Sequence, residues 1–317
     1  MRVGVIGTGI MGENHVRVYS SLAEQCQLIG IYDNNFDRAQ EMAEKYNVQK
    51  FDQLNSLLAQ VDAVSIAVPT KFHYQVGMQC INHHVHMLME KPIASTVSEA
   101  KRLIRSSTEK GVKLQVGHIE LYNPAIMELE NVLAQEKVIA VDVHRMSPFE
   151  PRHLHEDVVN DLMIHDIYIL YHLLKDEILK FYSMGQIMDD TVKHAIVIAR
   201  FTRGAIAQLT ASYKTEEKVR TIRVITEDAF IQADLLKKNI LISRSTNFFM
   251  NPWFINYHQQ NIVEKVFVPH HEPLKMELSD FLAYVKHDKK PKATGEDGLT
   301  ALTVTNKISE YIKQNDE

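Results

Sequence analysis

A chain that opens with Arg2-Val3-Gly4-Val5-Ile6 and continues at once with Gly7-Thr8-Gly9-Ile10-Met11-Gly12 has few ways to fold. The first run is short, apolar and rich in β-branched residues, which reads as a buried strand. The second is Gly-x-Gly-x-x-Gly, and a helical pattern follows it. Strand, glycine turn and helix in that order form the context in which this motif holds a dinucleotide pyrophosphate. Gly7 makes the tight turn, Gly9 lets a phosphate approach the backbone, and Gly12 lets the helix lie close to the strand. Thr8, Ile10 and Met11 complete the turn. The helix N-terminus offers free N–H groups and the positive end of its dipole to the same phosphates.

A second feature agrees with the first. Gln27-Leu28-Ile29-Gly30-Ile31-Tyr32 reads as the next strand and ends in Asp33, about twenty residues beyond Gly12. An acid at that spacing accepts hydrogen bonds from the ribose hydroxyls of NAD, and its charge repels a 2′-phosphate. Arg38 lies close enough along the chain to offset that charge by folding back, which keeps NADP open as a second cofactor.

Residues 1–118 go on alternating apolar runs with helical patterns. Val61 to Val68 is a buried strand stopped by Pro69-Thr70. Val85 to Met89 is another, ending in Glu90-Lys91-Pro92, and Lys113 to Val116 is the last. Such alternation predicts an α/β, doubly wound parallel sheet with helices on both faces. Ligands of such sheets bind outside the carboxyl ends of the strands. Gly7, Asp33, Pro69, Thr70, Glu90, Lys91 and Gly117 all fall there and should line one crevice.

Residues 119–317 have another texture. A helix after Asn123-Pro124, a strand over 138–145, a polar loop over 147–160 and a helix over 161–174 lead into consecutive strands near 178–187, 192–201, 205–213, 219–226, 229–233 and 238–243. Short turns join the strands, so an α+β domain with a large, mainly antiparallel sheet is expected. Residues 244–272 lack a pattern, and helices near 273–287 and 296–313 end the chain, with room to return to the first domain. In strand 192–201, Ala195, Val197, Ala199 and Phe201 share one face; His194, Ile196, Ile198 and Arg200 share the other. Both faces carry apolar residues, which predicts a homodimer or homotetramer assembled through this sheet.

The 317 residues suffice for two cores, and a net charge of −5 with no basic run argues against nucleic acid as a partner. No apolar stretch reaches the roughly 18 residues that would cross a membrane. The N-terminus reads as the first strand of the fold rather than a signal peptide. Two cysteines, Cys26 and Cys80, sit in apolar-periodic segments and suggest buried thiols in a reducing, cytoplasmic setting.

The chain resembles the Gfo/Idh/MocA family of oxidoreductases over nearly its whole length. The resemblance rests on the Gly7–Gly12 fingerprint, on Glu90-Lys91-Pro92, and on Asp161-Leu162-Met163-Ile164-His165 at the start of a helix. It implies NAD(P)-dependent oxidation or reduction at a hydroxyl carbon of a sugar, cyclitol or nucleotide sugar. It implies a cofactor set of Gly7, Thr8, Gly9, Ile10, Met11, Gly12, Asp33, Pro69, Thr70, His73, Glu90 and Lys91. The segment Gly117 to Pro124 also resembles members similar to UDP-N-acetylglucosamine 3-dehydrogenases, although those often carry arginine where this chain has Leu121.

The chemistry gives these residues roles. Alcohol oxidation needs a base within hydrogen-bond reach of the hydroxyl. His165 suits that part near neutral pH. Lys91, at a strand's carboxyl end, can polarise the oxygen and relay its proton. Asp161 is spaced to share a helix face with His165, where it can orient the ring or bind a substrate hydroxyl. Lys91, His165 and Asp161 are therefore the expected catalytic group. His118, Asn123, Arg152 and His153 are expected substrate contacts. A metal held by His153, His155, Glu156, Asp157 and His165 is the weaker reading, because no tight paired-ligand spacing is present. The alternatives are a cofactor-binding regulatory protein without turnover, and a redox-neutral enzyme that cleaves glycosides with bound NAD.

Overall fold

The computed structural model describes residues 1–245 and 261–315, with the side chains of Arg152, Ser245 and Asn261 left undescribed. The expectations for residues 246–260 and 316–317 lie outside that range. The chain divides into two compact units. One comprises Met1–Tyr122 with His271–Thr303, and the other Asn123–His270 with Val304–Glu317. A single cut at residue 118 therefore does not describe the folding units, because residues 271–303 belong with the N-terminal segment.

In the first unit the strands are β1 (Arg2–Ile6), β2 (Gln27–Tyr32), β3 (Gln49–Lys50), β4 (Ala63–Ile66), β5 (His86–Glu90) and β6 (Leu114–Gly117). They form a parallel sheet in the order β3-β2-β1-β4-β5-β6. The order reverses at β1, so the carboxyl ends of β1 and β4 flank the crevice where such sheets take their ligands. The helices include α1 (Ile10–Ser21), α2 (Phe36–Tyr46), α3 (Leu54–Leu58), α4 (His73–Asn82) and α5 (Val97–Glu109). Local chemistry sets several of their ends. The Asn35 side chain accepts the Arg38 N–H to cap α2, and Thr96 with Glu99 forms a capping box on α5.

Strand alternation sends side chains into two cores. Val3, Val5, Ile31 and Leu88 meet Val16 and Tyr19 of α1 on one face. Ile6, Ile66, Met87 and Met89 meet Leu57 and Leu103 on the other. The helix α8 (Pro273–His287) adds Leu274, Leu278, Phe281 and Leu282 to the first core, and this explains its membership of the unit. Both thiols are free and buried, and burial pushes Cys80 up to about 12.

The second unit contains α6 (Pro124–Leu133), β7 (Val138–Met146), α7 (Ile164–Leu174), β8 (Ile178–Met188), β9 (Thr191–Phe201), β10 (Ile206–Ser212), β11 (Val219–Thr226), β12 (Phe230–Asp234), β13 (Asn239–Ser245) and β14 (Asn261–Val266). Their sheet runs β14-β13-β12-β11-β7-β10-β9-β8. It is antiparallel except where β10 lies parallel to β7. The chain leaves β7 for α7 and two further strands before β10 pairs with it, so no hairpin turn constrains that pair to run antiparallel. Strand β14 was absent from the sequence pattern. Its alternating Ile262, Val263 and Glu264 are all exposed, so it lacks the buried face that makes a strand legible.

Alternation in β9 is as expected. Ala195, Val197, Ala199 and Phe201 are buried, and Ile196 and Ile198 are exposed. The helix expected from Asp161 departs from regularity. Residues Val159–Met163 form a π-helical turn, and the regular helix begins at Ile164. The last helix, α9 (Gly295–Gln314), is divided between the units at Thr303. Among the described residues, no helix is long and apolar enough to cross a membrane.

Candidate active site

The glycine turn has the shape its sequence demands. Gly7 takes a φ of +86°, where a side chain would be strained. A Cβ on Gly12 would lie 1.8 Å from the Gly7 carbonyl oxygen, so only glycine allows α1 to seat against β1. A Cβ on Gly9 would meet nothing within 4 Å, so that glycine faces open space. Gly9 also begins α1 with no side-chain cap, leaving the first N–H groups of the helix to an outside acceptor. A cavity of about 710 Å³ opens here, lined by Gly7, Gly9, Asp33, Arg38, Val68 and Phe72 among others. Pro69 also lines it, and Thr70 begins the short helical turn that follows β4. The donor set fits a dinucleotide: an uncapped helix end and an open glycine for phosphates, and a carboxylate at the end of β2.

Asp33 is held from within the turn. Its Oδ2 accepts from the Thr8 N–H at 2.6 Å and the Thr8 hydroxyl at 2.9 Å, and its Oδ1 accepts from the Asn35 N–H at 2.8 Å. A carboxylate accepts about four hydrogen bonds, so capacity remains for a ribose hydroxyl. Arg38 folds back, but toward other partners. Its Nε donates to the Thr8 carbonyl at 2.9 Å, Nη2 to Glu13 at 2.5 Å and Nη1 to Glu41 at 2.7 Å. The Lys45 ammonium, and after it the Arg38 guanidinium, holds the Glu13 carboxyl down to about 2, so Glu13 stays charged across the working pH range.

At the end of β5, Glu90 is the centre of the Lys91 turn. Its Oε1 lies 3.0 Å from Nε2 of the fully buried His15, and its Oε2 accepts from the Lys91 N–H at 3.3 Å. A Cβ on Gly117 would stand 3.1 Å from the Glu90 carboxyl carbon and both oxygens, so glycine at the end of β6 gives Glu90 its seat. His73 is buried and lies 2.8 Å from the Pro92 carbonyl and 2.9 Å from the Val68 carbonyl. It ties the turn after β4 to the turn after β5. His118 is 1% exposed, and burial, with the Lys91 charge second, pushes it down to about 3. It is therefore neutral at working pH.

The second unit has its own constellation. The Tyr213 hydroxyl donates to Asp161 Oδ2 at 2.6 Å. The Tyr213 ring stacks on His153, with centroids 4.2 Å apart and planes 12° from parallel. His153 Nδ1 accepts from the Glu150 N–H at 3.0 Å. A backbone N–H can only donate, so this bond fixes the neutral ring with its proton on Nε2. Lys193 holds that turn from beneath. It is 1% exposed, and its Nζ donates to the carbonyls of His153 at 2.5 Å, Leu154 at 2.8 Å and Glu156 at 3.0 Å. His165 Nδ1 lies 2.7 Å from the Tyr168 hydroxyl. Next to it, Asp166 takes the Nε of Arg145 at 2.7 Å, both residues being buried, and this ties α7 to β7.

Of the expected residues, Asp161 and His153 are brought together through Tyr213, and His165 follows at the start of the regular helix. Asp161 stands in the π turn and His165 in the first turn of the regular helix that follows it. Asn123 is occupied as the cap of α6, accepting the Ala125 N–H at 3.1 Å and donating to the Leu235 carbonyl at 3.4 Å. The side chain of Arg152 lies outside the described residues. Tyr213 and Lys193 were missed. For Lys193 the signal was present, since it has the parity of Ala195 and Val197 on the buried face of β9. Among the described residues, no group of three or more His, Cys, Asp or Glu is placed to hold a metal ion.

A glycine-turn dinucleotide site and a lysine turn at the neighbouring strand ends define a nicotinamide-dependent dehydrogenase. Residues 1–118 match the oxidoreductase family with an NAD-binding Rossmann fold, and residues 138–232 match the Gfo/Idh/MocA C-terminal domain. The chain belongs to the Gfo/Idh/MocA oxidoreductases and is a dehydrogenase acting on CH–OH groups. It is 34% identical over 244 residues, 76% of each chain, to the UDP-N-acetylglucosamine 3-dehydrogenase of Acidithiobacillus ferrooxidans. A crystal structure of that enzyme superposes with a TM-score of 0.91 at 30% identity, covering 99% of this chain and 98% of that one. The myo-inositol 2-dehydrogenase of Thermotoga maritima is 24% identical over 326 aligned positions, spanning 95% of this chain and 93% of its own.

Replacing Lys193 with methionine keeps the length of the side chain and removes the three donors. The variant should lose about 1–3 kcal/mol of stability, the cost of leaving buried carbonyls unsatisfied. Amide exchange should accelerate at 153–156 before other parts of the sheet. Denaturant melts and exchange mass spectrometry check this; a melt matching the unmodified protein refutes it.

Proposed function

We propose that this enzyme is an NAD-dependent dehydrogenase of a nucleotide sugar, acting on a secondary ring hydroxyl. The observation that carries the choice of cofactor is the engagement of Arg38 by Glu13 and Glu41 beside Asp33. The cation that could receive a 2′-phosphate is already neutralised by two carboxylates, and Asp33 adds a repelling charge. The substrate class rests on the likeness to the UDP-N-acetylglucosamine enzyme. Leu121 is buried and apolar, so this position offers no cation to a diphosphate, and other side chains must serve it.

NAD, when bound, supplies the hydride acceptor. Gly7, Gly9 and the first turn of α1 hold its phosphates, Asp33 its ribose, and the turns at Pro69–Thr70 and Glu90–Lys91 border the rest. Lys91 polarises the substrate oxygen, with Glu90 fixing the turn that carries it. His165 takes the hydroxyl proton. For Nε2 to take that proton, Nδ1 must carry the ring proton and donate it to the Tyr168 oxygen. Asp161, oriented by Tyr213, accepts a second substrate hydroxyl. His153, with its proton fixed on Nε2, is a donor toward the same ligand.

The apolar outer face of the second sheet supports a dimer. Tyr182 pairs with Ile198 and Met184 with Ile196 across β8 and β9, and all four are exposed. We take its partner to be the same face of a second copy.

With UDP-N-acetylglucosamine and NAD, NADH absorbance should rise; a rise only with free sugars or inositols refutes the nucleotide-sugar assignment, and none with any substrate refutes net oxidation. Lys91→Met should lower turnover by roughly two to four powers of ten while cofactor affinity changes little. His165→Ala should do likewise and remove a limb of the pH–rate profile. The double variant should not multiply the losses if both serve one relay. Full turnover in Lys91→Met removes the mechanism. In fluorescence titrations NADH should bind more tightly than NADPH, and replacing Glu13 and Glu41 by glutamine should narrow the gap by releasing Arg38. Light scattering should report a dimer or tetramer at micromolar concentration, and Ile198→Lys should dissociate it.

A further inference from the structure

On the buried face of α8 lies a carboxyl group that the fold does not account for. Glu277, on α8, is 0% exposed, and neither of its oxygens has a hydrogen-bond partner. It sits within the buried stripe Leu274, Leu278, Phe281 and Leu282, at a position where an apolar residue would satisfy the helix better. The ring Nδ1 of His15, on the neighbouring helix α1, is also buried and without a partner. The ionisable groups around Glu277 are Tyr19 of α1, Glu90 at the end of β5, Tyr122 in the turn after β6, and Asp280 on its own helix.

These groups divide the charge unequally. Asp280 accepts from the Tyr122 hydroxyl at 2.7 Å and the Lys292 N–H at 3.2 Å, and lies 3.6 Å from the Lys289 ammonium. Glu90 has His15 and the Lys91 N–H. Glu277 has neither a donor nor a cation. Of the three carboxyls only Glu277 is fully buried and uncompensated, which favours its uncharged form.

We propose that Glu277 is a positioning residue for the Glu90–Lys91 turn: as an uncharged acid it leaves Glu90 undisturbed in its contacts with His15 and the Lys91 amide. The proposal rests on the assignment of Lys91 to the reacting oxygen. Burial, then Glu90 and Asp280, raises Glu277 well above the usual carboxyl range. When Glu277 loses its proton, a second negative charge repels the Glu90 carboxylate. Glu90 is seated against Gly117, and any shift of its carboxylate carries the Lys91 backbone with it. The enzyme should therefore lose turnover as Glu277 ionises on the alkaline side.

Two neutral variants test this, Glu277→Gln and Glu277→Met, the second carrying no hydrogen-bonding amide. Circular dichroism identifies the variants that fold. Each pH–rate profile is compared with its own plateau. In the folded variants the alkaline limb should move upward by about one pH unit or more, as expected when an ionisation is deleted. A group whose pKa is raised on folding stabilises below its unfolded value and loses that contribution as pH rises. The unmodified protein should therefore melt progressively lower relative to Glu277→Gln as pH increases above 4.5, the ordinary value. An unmoved alkaline limb overturns the positioning role, and a melting difference that does not vary with pH overturns the neutral acid. Full turnover in Lys91→Met overturns the assignment of Lys91 instead, and leaves the melting difference in place.

Discussion

The contact on which the first unit depends is the one between Gly12 and the Gly7 carbonyl. A single methyl group there would stand 1.8 Å from the oxygen, so the approach of α1 to β1 is closed to any other residue. Once α1 is seated, its side chains are distributed by helical geometry. Glu13 reaches α2 and gathers Arg38, Lys45 and Tyr46. His15 turns inward to Glu90 at the end of β5. Phosphate turn, Glu13–Arg38 pair and lysine turn are thus three consequences of one close packing. A larger residue at position 12 would move all of them together.

Much of this was legible because its determinants are local or periodic. The glycine turn, the acid at the end of β2, the lysine after β5 and the alternation of β9 each follow from spacing along a strand or helix. What escaped is long-range. Tyr213 meets Asp161 across a separation in sequence that leaves no periodic trace. The π turn is invisible for a related reason, since nothing in Val159–Met163 distinguishes it from an ordinary helical start. Lys193 and Glu277 form an intermediate case. Each is a charged residue at a buried parity, and the pattern marks both as anomalies without saying what resolves them.

Their resolutions differ, and chemistry explains why. An ammonium has three donors and no acceptor, so a buried lysine can be fully satisfied by carbonyls, which every loop supplies. Lys193 finds three of them and stays charged. A carboxylate needs donors, and backbone N–H groups inside helices are already committed to their own carbonyls. Glu277, in the middle of α8, has no such supply and holds its proton instead. One buried charge organises a loop; the other buried group is compatible with its surroundings only when uncharged.

The same accounting bears on His165 and Asp161. Each has a phenol as partner, and a phenol is both donor and acceptor. Asp161 can only accept when ionised, so Tyr213 must donate, and the direction of that bond is settled by the acid. His165 offers no such decision. With its Nδ1 beside the Tyr168 oxygen, the ring is a base at Nε2 if the phenol accepts and a donor at Nε2 if the phenol gives. In the mechanism we propose, a substrate hydroxyl that must lose its proton to His165 selects the first state. The reverse reaction, which must return a proton to a carbonyl oxygen, starts from the ring protonated at both nitrogens, with Tyr168 still accepting. One orientation of the Tyr168 hydroxyl therefore serves both directions, and the proton at Nε2 is the only one that has to move.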